Sequence, residues 1–176
     1  MISNKDAVYI AAAASEAQKS PVLMRHGAVA VANGRIIAKG HNNYRVNSST
    51  GLMTGYTCHA ECDVLHKLMK LKNSPQSSNS LQKMKKITMY ITRLGEGDML
   101  RESAPCHDCC EKMLFFGIKT VVFTEDKNYY LNKNNNQYKH EIQIVKHNVE
   151  DFNSPLITAG QRYAQKQQAR LNEEID

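Results

Sequence analysis

Thr57-Cys58-His59-Ala60-Glu61-Cys62 and Ser103-Ala104-Pro105-Cys106-His107-Asp108-Cys109-Cys110 decide how this chain is read. Reduced to their chemistry, they are His-x-Glu followed by Pro-Cys-x-x-Cys. Neutral imidazole and thiolate are ordinary zinc ligands, and three of them leave a fourth position open for water. Cys106 and Cys109 are three residues apart, so on a helix they share a face. Cys110, four from Cys106, passes the same geometric test. Pro105 suits the first turn of that helix, where its missing N–H costs nothing. His59 falls near the start of a second helix, so two positive helix ends face the sulfur ligands. Glu61 lies about 200° round the helix from His59 and need not bind the same ion. It is placed instead to carry protons for the open-position water. A closed knot of Cys58, Cys62, Cys106 and Cys109 is the alternative zinc site, and it leaves His59 and Glu61 without a task.

Composition agrees with an intracellular metal site. All five cysteines, 58, 62, 106, 109 and 110, fall in the two motif stretches. A disulfide framework would spread them along the chain, so a reducing, cytoplasmic compartment is expected. No apolar run reaches the length of a membrane span, and Met1–Asp6 carries no apolar signal core. Lys and Arg number 23 against 17 acids, a formal charge of +6. That mild bias suits an anionic substrate or RNA, and solubility accounts for it equally well.

Outward from the motifs, the pattern alternates helix and strand. Ser3 to Ser20 reads as a helix: Ser3 and Asp6 form a capping box, the alanines favour helix, and Pro21 ends it. Asn33-Gly34 between Gly27–Ala32 and Arg35–Lys39 is a hairpin signal, so two antiparallel strands are expected. Gly40 to Tyr44 leaves the second strand as a loop, and 42–56 forms a pocket rim. Helix two starts near Cys58, with an apolar stripe at Cys62, Leu65 and Met69. Residues 73–80 are a polar connection. Lys86–Thr92 alternates as a third strand. The Cys helix ends at Gly117, and Ile118–Thr124 is the fourth strand. Tyr129 to Leu131 pairs back on it, 132–137 is an asparagine-rich insertion, and Glu141–Lys146 is a further strand. A last helix spans 155–172, its stripe of Arg162, Lys166 and Arg170 read as a solvated face. Residues 1–176 form one domain without repeats. This order predicts an α/β fold: a single mixed β-sheet with helices on both faces, the two ligand helices side by side at the strand ends.

These residues resemble the cytidine and deoxycytidylate deaminase superfamily. The similarity covers Gly27 to about Thr124, and its specific parts are His59-Ala60-Glu61 and Pro105-Cys106-His107-Asp108-Cys109. Gly40-His41-Asn42 and Phe116 to Val122 support it. The resemblance implies a cytidine deaminase-like α/β/α fold and Zn2+ held by His59, Cys106 and Cys109, with Cys109 preferred over Cys110. It implies Glu61 as proton shuttle, Asn42 contacting the nucleoside, and backbone at Ala60, Ala104 and Pro105 lining the base. It further implies hydrolysis of the amino group of a deoxycytidylate-like nucleoside or nucleotide, and assembly into homo-oligomers, with Phe115-Phe116 as apolar surface. Alternatives are a base deaminase acting on RNA, of the tRNA adenosine deaminase kind, and a catalytically idle binding subunit. An intact Glu61 stands against the idle subunit, since only catalysis needs it. Arg25, His26 and Arg45 are candidates to hold a phosphate, each with a solvated charge as its plainer role. Cys58 and Cys62 are read as packing residues.

Overall fold

Asn33 and Gly34 take φ of 50° and 72°, the two positive values that a tight hairpin turn requires. They join β1 (Arg25–Ala32) to β2 (Arg35–His41) in antiparallel register. The computed structural model describes residues 2–45, 57–72, 86–128 and 140–152. The expected polar connection at 73–80, the Tyr129–Leu131 pairing, the insertion at 132–137 and the helix at 155–172 lie outside them, as does most of the 42–56 rim.

The described elements follow in the order α1 (Asn4–Ala17), β1, β2, α2 (Ala60–Lys72), β3 (Thr88–Leu94), a 3-10 turn (Glu96–Asp98), β4 (Leu100–Arg101), α3 (His107–Phe115), β5 (Thr120–Asp126) and β6 (Ile142–Asn148). The strands make one mixed sheet in the order β2-β1-β3-β5-β6, with β4 pairing β3. β3 and β5 are parallel, and the crossover such a pair needs contains α3. β6 closes the far edge antiparallel to β5.

The central strands are buried on both sides. Ala28, Ala30, Met89, Ile91, Val121 and Phe123 face one core with Ala60, Val64 and Leu65 of α2 and Cys110 and Met113 of α3. Their odd-even neighbours Val29, Val31, Tyr90 and Val122 face the other with Ile10 and Ala13 of α1. Alternate side chains point to opposite faces, so helices on both faces give near-continuous burial in the strands between. Thr92, expected on the polar side, is fully buried for this reason. The alanines of α1 do more than favour helix. A Cβ on Gly27 would come within 2.0 Å of the Ala13 carbonyl, so the helix backbone rests directly on β1.

Boundaries differ from expectation where tertiary bonds intervene. Gly117, at φ 77°, ends α3 with Gly117 N–H donating to Leu114 O (2.8 Å) and Ile118 N–H to Met113 O (2.9 Å). This glycine cap satisfies the last carbonyls and delays β5 to Thr120. Helix α2 starts at Ala60 rather than Cys58, because Cys58 exchanges both backbone bonds with Asn43. The segment read as a plain loop before the Cys helix contains the 3-10 turn and β4, whose pairing to Arg93 and Leu94 depends on residues six to eight positions away. Among the described residues, no helix is long and apolar enough to cross a membrane.

Candidate metal centre and catalytic site

Two ligand-bearing helix starts meet at one end of the sheet. The bridge between Asn43 and Cys58 (3.0 and 2.8 Å) ties the approach to α2 to the end of β2. The carbonyl of His59 then accepts from Asp63 N–H, closing the first turn of α2. Cys106 occupies the N-cap of α3, and its carbonyl accepts from Cys110 N–H. Pro105 therefore stands one residue ahead of the cap, not inside the first turn as the sequence suggests. There it keeps the preceding residue out of helical conformation.

The approach to α3 is held rigidly. Ser103 Oγ lies 2.7 Å from Thr124 Oγ1, and Ser103 N–H donates to Thr124 O (2.8 Å). The buried Glu102 carboxylate accepts from Ala104 N–H (3.0 Å) and Asp126 N–H (2.7 Å), spanning from this segment to the end of β5. Burial pushes the Glu102 carboxyl above its usual range, and the two amides work against that.

His59 Nδ1 stands 3.3 Å from Cys109 Sγ and 3.5 Å from Cys106 Sγ. All three donor atoms lie within 4.8 Å of one another, and among the described residues no other group of His, Cys, Asp and Glu meets that condition. A tetrahedral zinc with Zn–N of about 2.0–2.1 Å and Zn–S of about 2.3 Å puts nitrogen and sulfur about 3.5 Å apart. The donor set fits zinc on both chemistry and spacing. Cys110 turns into the large core beside Met113, where burial pushes its thiol to about 12. Cys58 is likewise raised to about 12 by burial. Cys62 approaches Cys109 (4.0 Å between sulfurs) without joining the three-donor group.

The charges of the metal-free site are already polarised. A hydrogen bond from Cys109 brings the Cys106 thiol down to about 6 against its burial. Burial opposes charge on His59, yet its bond to Cys106 and the nearby Glu61 carboxylate raise it to about 9. Cys109, paired to Cys106 and Cys62 and fully buried, is held well above the usual thiol range.

Glu61 is buried in the first turn of α2. It lies outside the donor group, and its charge reaches His59, Cys106, Cys110 and His26. Asn42 is buried and bonded: its Oδ1 accepts from His26 N–H and Ser20 Oγ (2.7 Å each), and its Nδ2 donates to Met24 O (2.7 Å). Among the described residues, one amide N–H of Asn42 is left over. Ala60 is fully buried, Ala104 has its N–H on Glu102, and Pro105 is buried ahead of the cap.

Two of the three candidate phosphate-holding residues are already engaged. Arg25 bonds Asp98 (2.7 Å) and the Gly95 carbonyl (2.7 Å), and Arg45 reaches Asp63 (3.4 Å). Arg93, which sequence reasoning passed over, sits at this sheet end with its Nε buried and without a hydrogen-bond partner among the described residues. Its signal was present: it continues the apolar face of Met89 and Ile91 with a charge.

The family model for the cytidine and deoxycytidylate deaminase zinc-binding region matches residues 3–125. Among curated proteins, none matches. Solved structures are similar at low identity. The apo dCMP deaminase of cyanophage S-TIM5 is 25% identical, covering 70% of this chain and 84% of that one at a TM-score of 0.47. The same enzyme in complex with dCMP and dUMP is 24% identical, covering 70% and 82% at 0.48. Cytidine deaminase from Burkholderia pseudomallei is 18% identical, covering 85% and 95% at 0.49. The family match takes in α1, the hairpin, both helix starts and nearly all of β5. The chain belongs to the cytidine and deoxycytidylate deaminase zinc-binding family and is a zinc-dependent hydrolytic deaminase.

Proposed function

We propose that this chain converts a cytosine nucleotide of the deoxycytidylate kind to its uracil form with release of ammonia. The observation that carries the reading is the meeting of His59, Cys106 and Cys109 at two helix starts with the Glu61 carboxylate beside them and outside the donor set. In this reading the three donors hold zinc. Bound there, zinc supplies the Lewis acidity that brings the deprotonation of water near neutral pH.

The rest falls to the chain's own residues. Glu61 takes a proton from the attacking water and delivers it to the ring nitrogen next to the amino-bearing carbon. It then takes the proton of the hydroxyl now bonded to that carbon and hands it to the departing amino group, which leaves as ammonia as the C–N bond breaks and the carbonyl forms. One carboxylate serves both transfers because it stands between water and ring. Asn42 offers its remaining amide N–H to the sugar, and backbone at Ala60, Ala104 and Pro105 lines the base. Five free thiols suit work in a reducing compartment.

Ammonia release across dCMP, deoxycytidine, cytidine, CMP and an adenosine-containing RNA hairpin tests the substrate. The expected result is turnover of dCMP above the rest. Turnover of the RNA hairpin alone, or of no cytosine compound, overturns the reading. The chain in this reading also self-associates through the end of α3, where Phe115 is 85% exposed while Phe116 is buried. Light scattering that returns the mass of a single chain at micromolar concentration counts against that.

A further inference from the structure

Register places His26 of β1 opposite Arg93 of β3, and Arg93 opposite Arg101 of β4. Directly opposed residues share a face, with Cβ atoms about 4.5–5.5 Å apart. His26 continues the face of Ala28 and Ala30, and Arg93 that of Met89 and Ile91, which is the face carrying α2 and α3. Three basic side chains thus form a row beside the metal centre. The charges of Glu61, His59 and Arg93 all reach His26.

Arg93 and Arg101 are like charges directly opposed, which is unfavourable. The Glu61 carboxylate acts on the His26 end of this row, while the arginine end has no such partner among the described residues. Neither Arg93 nor Arg101 has a carboxylate within ion-pair distance among the described residues, and Arg93 Nε is enclosed without a hydrogen-bond partner. Arg101 bonds its own neighbour's carbonyl, at Leu100 (3.1 Å). Two acids of the adjoining segment are committed elsewhere: Asp98 to Arg25, Glu102 to two backbone amides. Gly95 gives Arg101 its room, since a Cβ there would come within 2.9 Å of Arg101 Nε.

We infer that Arg93 and Arg101 form an anion subsite that takes the phosphate of a nucleoside monophosphate whose base lies at the zinc centre. This rests on the proposed cytosine chemistry and names the residues that select among cytosine substrates. A guanidinium fork matches two phosphate oxygens at once, which a lysine cannot do. His26 spaces the row from the base. Its Nδ1 meets the Met24 carbonyl (3.0 Å), leaving Nε2 to accept from the sugar hydroxyl.

The test is the ratio of kcat/KM for dCMP to that for deoxycytidine, in the zinc-loaded protein and in Arg93→Ala, Arg93→Lys and Arg101→Ala. A hydrogen-bonded charge removed from a phosphate lowers the ratio on the order of 10²-fold for Arg93→Ala. Arg93→Lys recovers part of it, and Arg101→Ala falls in the same direction by less. Thermal unfolding with inorganic phosphate reads the subsite without turnover: wild type is stabilised and Arg93→Ala is not. An unchanged ratio, or phosphate stabilisation retained in Arg93→Ala, overturns the assignment. So does a wild-type preference for a cytosine-containing oligonucleotide over dCMP. Failure of every cytosine substrate refutes the proposed function, and the phosphate measurement then still decides the subsite.

Discussion

Glu61→Gln is expected to keep zinc and fold while kcat drops ~10⁴-fold or more. Glutamine is nearly isosteric, so the packing around this buried position is preserved. It still hydrogen-bonds a water. It cannot take that water's proton, nor hand one to the ring nitrogen or the leaving amino group. Single proton-transfer groups typically contribute ~10²–10⁴-fold, and a residue serving successive transfers belongs at the top of that range. Because Glu61 lies outside the donor group, metal content should be unmoved. Metal analysis and steady-state kinetics on the same preparation separate the two roles. Turnover within a few-fold of wild type would remove Glu61 as the shuttle. Loss of zinc with loss of activity would make it a ligand or a structural prop instead.

Cys106→Ala combined with Cys109→Ala is expected to abolish zinc binding and all turnover, from about one zinc per chain in wild type. The two sulfurs approach a single imidazole nitrogen, at 3.5 and 3.3 Å, and His59 alone is a weak site. Binding requires both thiols deprotonated and His59 neutral. The metal-free site is partly prepared: Cys106 is already down near 6, but His59 is raised to about 9 and must release its proton. Metal uptake should therefore liberate protons, measurable in weak buffer.

A ligand bound only by the folded state, at a thousand times its dissociation constant, adds ~4 kcal/mol. For a chain of this size that corresponds to a fall in Tm of ~10 °C on chelation. The same chelator should leave the double variant unmoved. Zinc retained by the double variant, or absent from wild type, would refute the ligand assignment.

What the sequence determined by itself lies within single elements. Ser3 and Asp6 cap α1, with Ser3 N–H on Asp6 at 2.8 Å. Asn33-Gly34 turns the hairpin as read, and the apolar positions of Lys86–Thr92 mark β3. The pairing of His-x-Glu with Pro-Cys-x-x-Cys announces a zinc site before any fold is known. These signals are legible because each depends on residues a few positions apart, whose geometry follows from local dihedral preferences and helix or strand period. The tertiary structure decided everything that depends on which elements become neighbours. Cys109 rather than Cys110 reaches His59, because the packing of α3 turns Cys110 into the core. Arg25 and Arg45 are claimed by Asp98 and Asp63, while Arg93 is left open. The segment before the Cys helix is locked by Ser103 on Thr124, 21 residues away. β6 joins β5 antiparallel, a direction that alternation in one strand does not encode. A side chain's own neighbours set its backbone. Its charge partner, its burial and its distance to a metal are set by chain segments that only the closed sheet brings beside it.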